Sequence, residues 1–112
     1  MRNTHPRKIQ YYRDRHGRTP FTDWIQSIRD IKTQNRILRR LDRLTWGNLG
    51  ECRSVGNGVF ELILNFGPGY RIYFGEVDNT VVLLLCDGDK SSQVRDIERA
   101  KMYWQTYKEI NR

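Results

Sequence analysis

The chain has 112 residues, a length that one hydrophobic core can organise, so a single domain over 1–112 is expected. Its 3 Trp, 6 Tyr and 4 Phe suffice to build that core, and no apolar run approaches the roughly 20 residues a membrane span needs. The net charge of +7 points to a polyanionic partner, RNA or DNA ahead of a membrane surface.

The first residues, Met1-Arg2-Asn3-Thr4-His5-Pro6, lead into charge rather than an apolar stretch, so no secretory signal and a cytoplasmic location are expected. Ile9-Gln10-Tyr11-Tyr12 reads as a short strand. His16-Gly17-Arg18-Thr19-Pro20 is a turn, with Thr19 a candidate N-cap and Pro20 at the first helical position. Trp24, Ile25, Ile28 and Ile31 follow at the spacing of one buried helix face. A second helix is expected from about Thr33, burying Ile37, Leu38, Leu41 and Leu44 and stopping before Trp46-Gly47-Asn48-Leu49-Gly50. The period then becomes two. Residues 59–66, 70–76 and 80–86 read as three strands of an antiparallel meander, joined by Gly67-Pro68-Gly69 and a tight turn at Asp78-Asn79. Val81-Val82-Leu83-Leu84-Leu85 is apolar on both faces, as in a strand covered above and below. From Ser91 or Ser92 a last helix carries Val94, Ile97, Ala100, Trp104 and Tyr107. The expected fold is an α/β domain of the α+β type. Two N-terminal helices pack on a small twisted antiparallel sheet, and a C-terminal helix partly covers its other face.

Charge is distributed unevenly along this order. Residues 1–53 hold 13 Lys and Arg against 5 Asp and Glu, whereas residues 54–112 hold 7 against 8. Fifteen of the 20 basic residues are Arg, whose planar fork of donors suits phosphate. The second helix carries Lys32, Arg36, Arg39, Arg40 and Arg43 opposite its apolar face. Like charges at i,i+4 repel, so a one-sign stripe reads as a phosphate-binding face. In Tyr70-Arg71-Ile72-Tyr73-Phe74, alternation sends Arg71 and Tyr73 to one face. Arg71 there calls for either a buried carboxylate, with Glu61 the candidate, or an external anion. Asp87-Gly88-Asp89-Lys90-Ser91-Ser92-Gln93 reads first as a glycine turn with a serine cap, and secondly as an anion-holding helix start. Cys52 and Cys86 form neither a disulfide framework nor a zinc site. His5 and His16 match no catalytic spacing, and neither a phosphate loop nor a metal-ligand cluster is present, so an enzyme of this sequence is expected to work without metal or cofactor.

Taken together, three segments resemble the RelE/ParE toxin superfamily, in its phage-type addiction module killer (HigB-like) branch. They are the run from Gly50-Glu51-Cys52-Arg53 to Phe60-Glu61-Leu62, then Phe66-Gly67-Pro68-Gly69-Tyr70-Arg71-Ile72-Tyr73-Phe74, then Leu84-Leu85-Cys86-Asp87-Gly88-Asp89-Lys90-Ser91-Ser92-Gln93 with Asp96-Ile97-Glu98-Arg99-Ala100. The resemblance covers nearly the whole chain in order and implies helices on one face of a twisted antiparallel sheet. It implies the toxin of a type II toxin–antitoxin system: an mRNA interferase, or ribosome-dependent endoribonuclease. Its partners would be the ribosome, mRNA and a cognate helix-turn-helix antitoxin, with no membrane involved. On this resemblance Arg71 stabilises the phosphate, Lys90 sits at the leaving oxygen, Arg53 helps bind the message and Tyr73 stacks on or donates to RNA. Glu61, Asp87 and Asp89 are the candidate bases. Related sequences usually follow Glu61-Leu62 with Arg, whereas here Ile63 stands, on the face expected for Glu61 and Arg71. The rival readings are a ParE-like gyrase inhibitor that catalyses nothing, and a degenerate toxin that keeps only its antitoxin.

Overall fold

The computed structural model describes residues 6–48 and 50–111, so His5 and Leu49 lie outside the described residues. The chain runs β1 (Lys8–Tyr11), α1 (Pro20–Ser27), α2 (Ile31–Thr45), β2 (Cys52–Gly56), β3 (Val59–Leu64), β4 (Tyr70–Val77), β5 (Val81–Gly88), a 3₁₀ turn at Lys90–Ser92 and α3 (Gln93–Ile110).

Pro20 opens α1, with Thr19 at the cap position but making no side-chain cap bond. The first helix is shorter than its apolar spacing suggests. Asp30 accepts from the Lys32 main-chain N–H and starts α2 early, so Ile31 opens the second helix and is 63% exposed. Gln34 Nε2 donates to the carbonyls of Ile25 and Ile28, satisfying orphan acceptors at the end of α1 and fixing the corner between the helices.

The sheet has the order β1-β5-β4-β3-β2. Strands β2 to β5 are antiparallel, as expected for a meander, but β1 runs parallel to β5, which makes the sheet mixed. The meander also has one more strand than the alternation indicated. Cys52–Gly56 pairs with β3 through a hairpin in which Asn57 and Gly58 have φ of 58° and 82°. Two consecutive positive φ values are what a two-residue hairpin turn demands, and Asn-Gly supplies them at least cost. The β4–β5 connection is one residue longer, Asp78-Asn79-Thr80 between paired Val77 and Val81, and Asp78 and Asn79 again take positive φ, 52° and 59°.

Two cores lie on opposite faces of the sheet. On one, Phe21 of α1 and Ile37, Leu41 and Leu44 of α2 pack on Leu62, Leu64, Ile72, Phe74, Val82 and Leu84. On the other, Ala100 and Trp104 of α3 pack with Tyr12, Val59, Tyr73, Leu83, Leu85 and Cys86. Strand β5 feeds both, which is why Val82–Leu85 is apolar throughout. Gly75 lets α3 settle on the sheet, since a Cβ there would meet the Trp104 ring at 2.5 Å. Val94, expected on the buried face of α3, is 76% exposed, while Asp96 is buried.

Candidate nucleic-acid interface

The register across β2, β3 and β4 places four of the sequence-predicted site residues, together with Ile63, side by side. Arg53 lies opposite Glu61, Glu61 opposite Tyr73, and Ile63 opposite Arg71. Directly opposed residues share a face, so all of these project to the α3 side of the sheet.

Glu61 is the centre of the arrangement. It is fully buried, and its Oε1 accepts from Arg53 Nε at 2.8 Å. Its Oε2 accepts from the Tyr73 hydroxyl at 2.9 Å and from Gln93 Nε2 at 2.7 Å. Arg71 Nε lies 3.8 Å from the same oxygen, an ion pair without a hydrogen bond. Burial pushes the Glu61 carboxyl up, but hydrogen bonds from Gln93, Arg53 and Tyr73 outweigh it and hold the group below the usual glutamate value. The result is a buried anion at the sheet surface with cations gathered over it.

Arg71 is held from two sides. Its Nη1 donates to the Gly69 carbonyl at 2.7 Å, and its side chain is only 11% exposed. Gly69 has φ of 79°, and a Cβ there would sit 3.1 Å from Arg71 Nη1 and 3.4 Å from Lys90 Cβ. This glycine therefore lets the Gly67-Pro68-Gly69 turn, Arg71 and Lys90 come together. The Lys90 side chain is exposed, and the Arg53 side chain, 59% exposed, reaches solvent beside Glu61. Arg53 from β2 and Arg71 from β4 thus flank one buried carboxylate, and Lys90, in the turn before α3, packs beside the Gly69 turn that holds Arg71.

Tyr73 does not take the place expected of it. Its ring is fully buried in the core beneath α3 and its hydroxyl is spent on Glu61, so no face remains for a base to stack on. Burial, then Glu61, pushes its pKa far above the ordinary tyrosine value. It positions Glu61. Asp89 is likewise committed, since its side chain accepts from the main-chain N–H groups of Ser91 and Ser92 in a capping box, the plain-turn reading of that segment.

The helix stripe divides. Lys32, Arg36, Arg39 and Arg43 are exposed on α2, on the opposite face of the sheet from Glu61. Arg40 does not belong with them. It is buried, and its guanidinium fills the space against Gly50, where a Cβ would lie 1.9 Å from Nη2. Burial is the main reason its pKa is lowered. Position 40 lies three residues after Ile37 and four before Leu44, so it falls at the edge of the buried arc rather than opposite it. Arg36 stacks on the Phe66 ring at 4.1 Å, which ties the stripe to the loop leading into β4. Gln93 was not legible as a site residue, because only the docking of α3 aims it at Glu61. His16 stays in its turn, where Asp14 Oδ1 accepts from its main-chain N–H. Cys52 is half-buried and Cys86 buried, and burial pushes the Cys86 thiol up to about 12.

No model of a known protein family matches the chain. An uncharacterized protein of Haemophilus influenzae is 40% identical over 82 residues, which is 73% of this chain and 83% of that protein. The chain belongs to that protein's family. Among the described residues no helix is long and apolar enough to cross a membrane.

Proposed function

We propose that the protein is the toxin of a type II toxin–antitoxin pair, acting in the cytoplasm as a ribosome-dependent mRNA endonuclease and silenced by a small helix-turn-helix antitoxin. The observation that supports this reading is the pair of Arg53 and Arg71 set against buried Glu61, with Lys90 beside the turn that holds Arg71. A fixed buried carboxylate orients arginine forks before any ligand arrives. Preorganised donors of that kind are what a phosphate gathering charge in a transition state requires. In this reading the message's own 2′-oxygen attacks the adjacent phosphorus and the bond to the 5′-oxygen breaks. A 2′,3′-cyclic phosphate and a 5′-hydroxyl remain. Arg71 and Arg53 balance the equatorial oxygens, and Lys90 supplies the proton or charge at the departing 5′-oxygen. Glu61 has both oxygens occupied, so it positions the arginines, and the 2′-hydroxyl proton passes to solvent or to a group of the ribosome. The exposed face of Lys32, Arg36, Arg39 and Arg43 binds rRNA phosphates on the far side of the domain.

The test is message cleavage on programmed ribosomes with purified protein. Arg71→Ala is expected to slow cleavage by about a hundredfold or more, the effect of removing one transition-state donor, while antitoxin binding persists. Arg71→Lys, which keeps the charge, is expected to retain part of the rate. Cleavage by Arg71→Ala at the wild-type rate, or none by the wild-type protein, overturns the reading. A second reading, the degenerate toxin, is favoured by one feature. Ile63 is half-buried directly opposite Arg71, where a cation would add to the cluster.

A further inference from the structure

Strand β1 ends at Tyr11, opposite Leu84, whereas β5 continues to Gly88. Among the described residues, the last of β5 therefore have no strand beside them on the β1 side. Into that gap come the start of α1 from one sheet face and the start of α3 from the other, leaving a cleft of about 480 Å³.

Its wall is acidic in a basic protein. Asp14, Asp23, Asp87 and Asp96 line it against Arg18 and Arg99, a local balance of −2 with Asp87 ionised and −1 with it protonated, where the chain carries +7. Two of these acids are already used. Asp14 accepts from the main-chain N–H groups of His16 and Arg18, and Asp96 bonds to Ser92 Oγ and to Arg99 Nη2. Asp87 is different. It is 6% exposed, and its Oδ2 is buried with no hydrogen-bond partner among the described residues. Arg99 passes close by but donates to the Asp87 main-chain carbonyl at 3.1 Å, and its own Nε has no hydrogen bond among the described residues. Burying an ionised carboxylate without a partner is costly, and a cation bound beside it offsets that cost.

We infer that this cleft binds a guanidinium cation, either an arginine side chain of a partner polypeptide or a free guanidino compound, with the Asp87 carboxylate as its anchor. Three features select that chemistry. First, among the described residues no three carboxylate, imidazole or thiol groups gather closely enough for a metal ion. Second, the net negative wall repels phosphate, so the cleft does not extend the RNA-binding faces described above. Third, the planar guanidinium is more weakly hydrated than an ammonium, pairs with carboxylates through two parallel donors and stacks on aromatic surface. Trp24 and Tyr103 provide that surface in the same cleft. The groups facing Asp87 are Asp23 from α1 and Asp96 and Arg99 from α3. Burial pushes Asp87 up to about 8, Arg99 opposing and Asp96 and Asp23 adding to the shift. The empty cleft is therefore largely protonated at Asp87 below that value. Binding a cation releases the proton, and affinity rises with pH.

The experiment is an NMR titration of the full chain with agmatine and with acetyl-Gly-Arg-Gly-amide. Saturable shifts at Trp24, Asp87 and Arg99 are expected, tightening about tenfold from about pH 7 to about pH 9. Near-isosteric Asp87→Asn should weaken binding about tenfold, and Asp23→Asn, at an exposed position, several-fold less. A tighter peptide than agmatine assigns the cleft to a polypeptide, and the reverse assigns it to a free compound. No saturable shift in the wild type, unchanged binding by Asp87→Asn, or saturation by cytidine or AMP in place of the guanidinium probes overturns the inference. None of these outcomes depends on ribonuclease activity.

Discussion

Replacing Glu61 by Gln removes one charge and keeps the shape, and the structure says which neighbours would feel it. Gln can present its amide oxygen to Tyr73 and Gln93 and turn its NH2 group toward Arg53. That contact then sets donor against donor. Arg53 is 59% exposed and can swing into water, so its loss costs little. Arg71 is the costly partner, because at 11% exposure it cannot rehydrate. Removing one partner of a buried ion pair costs about 3–5 kcal/mol. The hydrogen bonds retained by the amide and the 3.8 Å separation place this case lower, at about 2–3 kcal/mol. For a domain of this size that lowers the melting temperature by about 10–15 °C. The pH dependence gives a second handle. The folded carboxyl lies below its usual 4.5, so between the folded and unfolded values the unfolded chain holds more protons. The Glu61 contribution is complete above about 4.5 and is lost as pH falls through the folded value. Differential scanning calorimetry of both proteins from neutral pH into acid should show a gap that narrows in acid. A Glu61→Gln melt within about 2 °C of wild type at neutral pH, or a gap constant down to about pH 3, would refute the account of Glu61 as a charged organiser.

Ile63→Arg should keep the fold with a melting temperature only a few degrees lower, since Ile63 is half-buried and two like charges directly opposed cost about 1 kcal/mol or less. Growth inhibition by the variant should rise if the cluster is an attenuated phosphate site, and a collapse of the melt would instead place Ile63 in the core. Arg40→Ala should destabilise the domain by about 2–3 kcal/mol in urea unfolding through the lost buried guanidinium, whereas neighbouring Arg39→Ala should stay within about 0.5 kcal/mol. Equal effects of the two would show that Arg40 is a surface cation after all.

Periodicity by itself determined most of the architecture: the helices, the meander from β3 to β5, the doubly covered β5 and the helix-bearing faces. Each rests on a local pattern, because a 3.6 or 2.0 repeat of apolar residues dictates which face is buried whatever the partner. Strand β2 was also within reach. Its Asn57-Gly58 turn is a strong hairpin signal, but Cys52-Arg53-Ser54 is too polar to read as a strand without its partner β3. Alternation likewise put Glu61, Ile63, Arg71 and Tyr73 on one face, and the structure keeps them there. What alternation cannot give is what covers that face. Only the docking of α3 decides that Tyr73 is buried beneath it, that Gln93 reaches Glu61, and that Asp87 ends in a cleft between two helices from opposite faces. Arg40 is a smaller case of the same kind, polar by identity but buried by the loop that returns past Gly50. Burial of a charged group depends on contacts between residues distant in the chain, so it is settled by the tertiary fold.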